Sequence, residues 1–214
     1  MTLSGSTGWG CHPQTCLGMP LSMKLTMLSE EIHRKKCQRY NIPGHAHELT
    51  FSCYRRQVFL LNDSFCSYLV EAIIRARGIH QFDLWAYVFM PEHIHLLIWP
   101  RNEIYSISNI LLSIKQSVSR KVLLYLRKHK PQKLKLMETS QKHTLYRFWQ
   151  PGGGYDRNIT SRTTVIHVIE YIHNNPVRRG LVIKPEDWLW SSMREWSVPG
   201  TGVIPIDRES FPIS

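Results

Sequence analysis

The chain has 214 residues, with 27 Lys/Arg against 16 Asp/Glu and a formal net charge of +11 at pH 7. That length suits one domain with a proper core and some extra chain at the ends, not two full domains. Five scattered cysteines without a Cys-x-x-Cys pair suggest reduced thiols and argue against a disulfide framework or a cysteine zinc site. The lack of a signal-type leader or of about 18 continuous apolar residues argues against secretion and membrane insertion. A cytoplasmic protein with no membrane partner is expected.

Residues 1–36 are rich in Ser, Thr, Gly and Pro in their first two thirds and are read as a disordered leader or as codons upstream of the true start. The domain is expected over 37–180, with 181–214 as a tail packing onto it. His47 to Tyr54 alternates as a first strand. Ser64 to Gly78 reads as a helix with Leu69, Ile73 and Ile74 inward and Gly78 as its stop. "FDLWAYVFM" and "HIHLLIW", separated only by Pro91 and Glu92, require a tight antiparallel hairpin. Ser106 to Lys128 carries a helical stripe of Ile107, Leu111, Ile114, Val118 and Val122. "LYRFWQ" is expected as a further strand and "PGGGYDRN" as a loop. "TSRTTVIHVIEYIHNN" is a last helix capped by Thr160 or Ser161, ended at Asn175 by Pro176. The order strand, helix, strand, strand, helix, strand predicts an α+β, ferredoxin-like sandwich (β-α-β-β-α-β) with an antiparallel sheet and one additional C-terminal helix.

Chemistry concentrates in two places. His93 and His95 lie two apart on a strand and share one face, while Ile94, Leu96 and Ile98 take the other. Taken alone, such a pair is more often incidental than metal-binding. On the last helix Val165, Val168, Ile169 and Ile172 form the buried stripe, and Tyr171 and Asn175, four apart, emerge together off it. By spacing alone they read first as a packing tyrosine and a C-terminal turn residue. Taken together, two imidazoles and an amide oxygen can hold Mg²⁺ or Mn²⁺ with positions left for phosphate and water. A phenol, whose ordinary pKa is about 10, is a useful nucleophile at neutral pH only with such help. Aligned with the leaving 3′ oxygen, it forms a covalent 5′-phosphotyrosine.

"VFMPEHIHLLIWP" resembles the His-hydrophobic-His signature of the HUH single-tyrosine transposases. "YIHNNPVRRGLVIKPEDWLWSS", "RYNIPGHAHELTFSCYRRQVFL" and "FWQPGGGYDRNI" resemble further blocks of their REP-associated tyrosine transposase branch, so the likeness spans about Arg39 to Ser192. The resemblance implies metal ligation by His93, His95 and Asn175 and a nucleophile at Tyr171. It implies a metal-dependent nuclease and strand transferase acting on single-stranded or hairpin DNA, commonly as a homodimer. Two departures stand out: Glu92 replaces a more usual Asn or Asp, and three glycines at 152–154 lengthen the loop before Tyr155.

The charge distribution agrees with a DNA partner. Between Arg101 and Lys142 there are ten Lys/Arg against Glu103 and Glu138 alone, a footprint suited to phosphate. Lys115, Arg120, Lys121, Arg178 and Arg179 are the expected DNA contacts, with Tyr125, Tyr146, Trp149 and Tyr155 as core residues first and stacking platforms second. His167, one turn before Tyr171, reads as a surface residue first and a proton-transfer helper second. Trp188 and Trp190 are expected to pack the tail on the domain. A histidine-triad hydrolase needs a histidine where Leu97 stands, and a His-x-Thr phosphoesterase needs threonine where His95 and Leu97 stand. The remaining alternative is an inactive or host-domesticated nucleic-acid-binding protein.

Overall fold

A computed structural model describes residues 39–211; the leader expected over 1–36 lies outside them. The main sheet holds β1 (Ala46–Ser52), β2 (Phe82–Phe89), β3 (His93–Pro100) and a late strand, Tyr155–Ile159. Between them come α1 (Asp63–His80), α2 (Ile107–His129) and a small two-stranded ribbon of β4 (Glu138–Gln141) and β5 (Thr144–Tyr146), so the late strand is β6. α3 (Arg162–Arg178) and the short α4 (Met193–Ser197) follow. The sheet order is β2-β3-β1-β6 with every neighbouring pair antiparallel. This is the ferredoxin-like α+β arrangement, with α3 as the additional helix.

Period-two alternation divides the sheet's faces. Leu49, Phe51, Ile94, Leu96 and Ile98 point into a core shared with α1 and α2. Ala46, Ala86, Val88, Leu97 and Ile159 point the other way, against Val165, Val168, Ile169 and Ile172 of α3. Burying these apolar faces supplies the main driving force for the fold. The tail covers the free edge of β2: Phe89 N–H donates to Trp190 O, Ser192 N–H to Tyr87 O and Asp207 N–H to Leu84 O. The Trp188 indole adds a bond to Phe89 O at 2.9 Å. A capped edge cannot recruit another strand. Among the described residues Cys53 and Cys66 are free thiols, and no helix is long and apolar enough to cross a membrane.

Several elements differ from expectation. "LYRFWQ" is not in the main sheet: Leu145 and Tyr146 belong to β5, while Phe148 and Trp149 are buried in the α1/α2 core. Its alternation reflects that packing. The fourth place is filled by the segment read as a loop, Tyr155–Ile159, pairing with β1 from Ala46 to Thr50. Gly154 permits the approach, since at φ +74 a Cβ there would lie 2.1 Å from Thr50 O. α1 runs past Gly78 to His80, and Ile74 is exposed at 48% because it lies beyond the edge of the stripe that Ile73 belongs to.

α3 also continues through Pro176. Proline removes only the bond to the carbonyl four residues back, and the helix ends shortly after. Leu181 N–H donates to Pro176 O and Gly180 N–H to Val177 O, with Gly180 at φ +66, a Schellman closure. Asn175 is therefore a helical residue, buried at 6% exposure, and not a cap.

Candidate active site

β3 brings the two histidines onto the α3 face, where His95 lies opposite Thr50 of β1 and Val88 of β2. The His93 Nδ1 is 3.1 Å from Glu92 Oε1, and the His95 Nδ1 is 2.9 Å from Thr50 Oγ1. An ionised carboxylate only accepts, so His93 carries its proton on Nδ1. The Thr50 hydroxyl can accept likewise from His95. Both Nε2 atoms are then left with lone pairs, and they face each other at 3.0 Å. Burial, with His93 beside it, pushes the His95 pKa down to about 3. Burial lowers that of His93 as well, against the opposing pull of Glu92. The pair is thus neutral near pH 7, with two acceptors converging on a point that suits a cation.

α3 supplies the next two groups. The Asn175 carboxamide nitrogen is placed 3.2 Å from His95 Nε2, and rotation of the amide exchanges it for the oxygen, an assignment that the hydrogen-bond network decides. The Tyr171 ring meets the His95 ring edge-on, with centroids 5.5 Å apart and planes at 87°. The four-residue spacing therefore delivers both side chains to one imidazole. Among the described residues no three His, Cys, Asp or Glu side chains converge as a metal site; the donor set here is two imidazoles and a carboxamide. That set fits a divalent ion of intermediate hardness such as Mn²⁺, with Mg²⁺ requiring more water in its shell.

Tyr171 opens onto a cleft of about 640 Å³ lined by Glu48, Thr50, His95, Tyr155, Arg157, Thr164, His167, Val168 and Tyr171. His167 is thus on the same cleft wall as Tyr171, and Tyr155 is the one predicted aromatic found there. Trp149, Tyr125 and Tyr146 pack instead with the core. Glu48 and Arg157 were not anticipated. Burial raises the Glu48 pKa and Arg157, 3.7 Å away, opposes the rise. The signal for Glu48 and Thr50 was present in the alternation of β1, which puts them on the histidine face.

Glu92 is a junction. Its Oε1 accepts from Arg179 Nη1 at 3.0 Å and Arg56 Nη2 at 3.3 Å in addition to His93, and its Oε2 is buried with no hydrogen-bond partner. Burial raises its pKa, but Arg179 and His93 outweigh burial and hold the carboxyl below the ordinary value. Arg178 lies over the Tyr171 ring at 5.1 Å, so both arginines of the pair adjoin the site. Lys115, Arg120 and Lys121 do not. They lie on α2, across the sheet, where Lys115 donates to Gly152 O and Lys121 pairs with Glu71.

Residues 41–175 match the family described as "Transposase IS200 like". No curated protein matches the chain. Among solved structures, a REP-associated tyrosine transposase bound to a REP hairpin has a similar fold, with a TM-score of 0.60 and 24% identity over 76% of this chain and 86% of that one. A candidate transposase from Deinococcus radiodurans R1 aligns with 21% identity and a TM-score of 0.39 over 65% of this chain and 96% of that one. The family match spans well over half of the sequence, so the chain belongs to the IS200-like transposase family, enzymes of DNA transposition.

Proposed function

We propose that this transposase cuts and rejoins single-stranded DNA through a tyrosine–DNA intermediate, in the manner of the REP-associated branch. The observation that carries the reading is the meeting of Tyr171, Asn175 and the His93–His95 pair within one chain. Tyr171 Oη attacks phosphorus; the Oη–P bond forms as the P–O3′ bond breaks, and the 3′ oxygen leaves as a hydroxyl. The 5′ phosphate stays on Tyr171 until another 3′ hydroxyl reverses the exchange. Each step trades one phosphoester for another, so no external energy source is needed.

His93, His95 and the Asn175 oxygen would hold a divalent metal, Mg²⁺ or Mn²⁺, and the chemistry it would supply there is polarisation of the scissile phosphodiester and neutralisation of charge on its oxygens. His167 relays the phenol proton from its place on the cleft wall. Arg178 and Arg179 contact the DNA backbone beside Tyr171. Lys115, Arg120 and Lys121 contact DNA that wraps to the α2 side. The proposed catalytic domain is 37–180, and the described part of the 181–214 tail, up to residue 211, buttresses it. A DNA hairpin is the proposed substrate, a reading supported by the fold shared with the hairpin-bound transposase, and a homodimer is the proposed assembly.

The test is incubation of the protein with hairpin oligonucleotides and Mn²⁺, followed by denaturing electrophoresis. The wild type yields a denaturation-resistant adduct. Tyr171→Phe loses it while retaining binding, and His95→Ala loses it through the metal. An adduct fully retained in Tyr171→Phe refutes the nucleophile.

A further inference from the structure

We infer that Arg55 and Arg56 form a phosphate clamp that holds single-stranded DNA on the Glu92 side of the histidine pair, a site that rests on the transposase reading above.

The first observation is backbone geometry. Arg55 and Arg56 have φ of 51° and 52°, the left-handed region that residues with a Cβ occupy at a cost. Among the described residues the only other non-glycine at positive φ is Gln81, which caps α1, a place where that conformation is common. The two arginines have no such reason. Their turn is fixed from several sides: Cys53 N–H donates to Glu92 O, Tyr54 N–H to Phe148 O, Arg56 N–H to Cys53 O, and Arg55 N–H to Gln150 Oε1. Glycine would take this shape without strain, yet arginine stands at both positions and both side chains are exposed. Strain maintained by surrounding structure, at residues whose side chains do not build the core, points to a use for those side chains.

The second observation is charge. The Arg56 side chain is 64% exposed, and its Glu92 contact is shared with Arg179 and His93. An exposed pair of this kind adds little stability. Two guanidiniums, Arg56 and Arg179, contact the one Glu92 carboxylate, while Arg178 lies over the Tyr171 ring and Arg55, next in sequence to Arg56, lies over the Tyr54 ring at 5.0 Å. The surplus is positive, and guanidinium forks match phosphate oxygens.

The third is placement. Along β1, Glu48 and Thr50 line the Tyr171 cleft, Ser52 lies opposite His93, and the arginine turn comes next. A strand entering by Arg157 and passing His95 and Tyr171 leaves over Arg55 and Arg56. The ligand is therefore the phosphodiester backbone of that strand, read without regard to base.

The test is fluorescence anisotropy of a labelled hairpin oligonucleotide with a single-stranded flank, across a NaCl series, with melting curves of each protein. The paired variants Arg55→Gly/Arg56→Gly and Arg55→Asn/Arg56→Asn both suit the left-handed backbone and remove the charge. Each is expected to weaken binding about tenfold or more and to reduce the salt slope by about 1.4, or about 0.7 per lost single-strand phosphate contact, with Tm equal to or above that of wild type. An unchanged slope overturns the clamp, and so does weakened binding accompanied by a lower Tm in both variants. Tyr171→Phe on the same probe reports on the catalytic reading alone. A retained adduct there overturns that reading and leaves the clamp standing, because the salt slope requires no chemistry.

Discussion

Glu92→Gln separates orientation of the histidine pair from its mere presence. Glu92 is 4% exposed, and its Oε1 receives His93 Nδ1 at 3.1 Å, Arg179 at 3.0 Å and Arg56 at 3.3 Å. Glutamine keeps the shape, removes the charge that pins the His93 proton on Nδ1, and puts an NH₂ where cationic donors converge or where Oε2 now has no partner. Breaking a fully buried ion pair costs about 3–5 kcal/mol. Here Arg56 is 64% exposed and Arg179 49%, so screening reduces the expected loss to about 1–2 kcal/mol. The effect on the ion is separate: losing the partner that orients a metal-bound histidine weakens binding about 10–100-fold, or about 1.4–2.7 kcal/mol. Mn²⁺ titration calorimetry and urea unfolding, run on both proteins, read the two quantities. Because the folded Glu92 pKa is lowered, its stabilisation is present above the ordinary carboxylate pKa and is lost as pH falls through the lower folded value. The stability gap between wild type and variant should therefore close in acid. Unchanged Mn²⁺ affinity in a folded Glu92→Gln would refute the idea that Glu92 prepares His93 for metal.

Two further predictions concern the framework. His173 is buried against the Ser192 hydroxyl at 2.8 Å, and burial pushes its pKa down from 6.5 to about 4. Between those values the unfolded chain binds a proton that the folded chain does not, so stability falls as pH drops through that window, by up to about 3 kcal/mol. In urea melts at pH 7 and pH 5, His173→Gln should show a smaller drop than wild type; parallel drops contradict the assignment. Gly154→Ala should destabilise the fold by about 2 kcal/mol or more, combining a positive φ with a Cβ 2.1 Å from Thr50 O. A melting temperature equal to wild type would show that β6 does not need that approach.

What the sequence made legible follows from the range of each interaction. The Pro91–Glu92 hairpin, the α2 stripe and the pairing of Tyr171 with Asn175 are local, and periodicity exposes them. β6 was missed because Tyr155–Ile159 is a polar edge strand after a glycine run, with Ile159 alone fully buried, so it lacks the apolar alternation that marks a strand. Pro176 looked like a stop because its rule concerns helix interiors, and here it sits in the closing turn. Glu92 was noticed as a departure, but its arginine partners come from β1's exit and the end of α3, a convergence visible only after folding. The placement of Lys115, Arg120 and Lys121 was lost for the same reason: charge density in sequence carries no information about which side of the sheet a helix covers.

The most direct measurement is the identity of the residue that carries DNA. The adduct formed with a hairpin oligonucleotide and Mn²⁺ is digested with nuclease and trypsin, and the modified peptide is sequenced by mass spectrometry. The account predicts a 5′-phosphonucleotide on Tyr171. The same modification on Tyr155, the other tyrosine lining the cleft, or on any other side chain would contradict it.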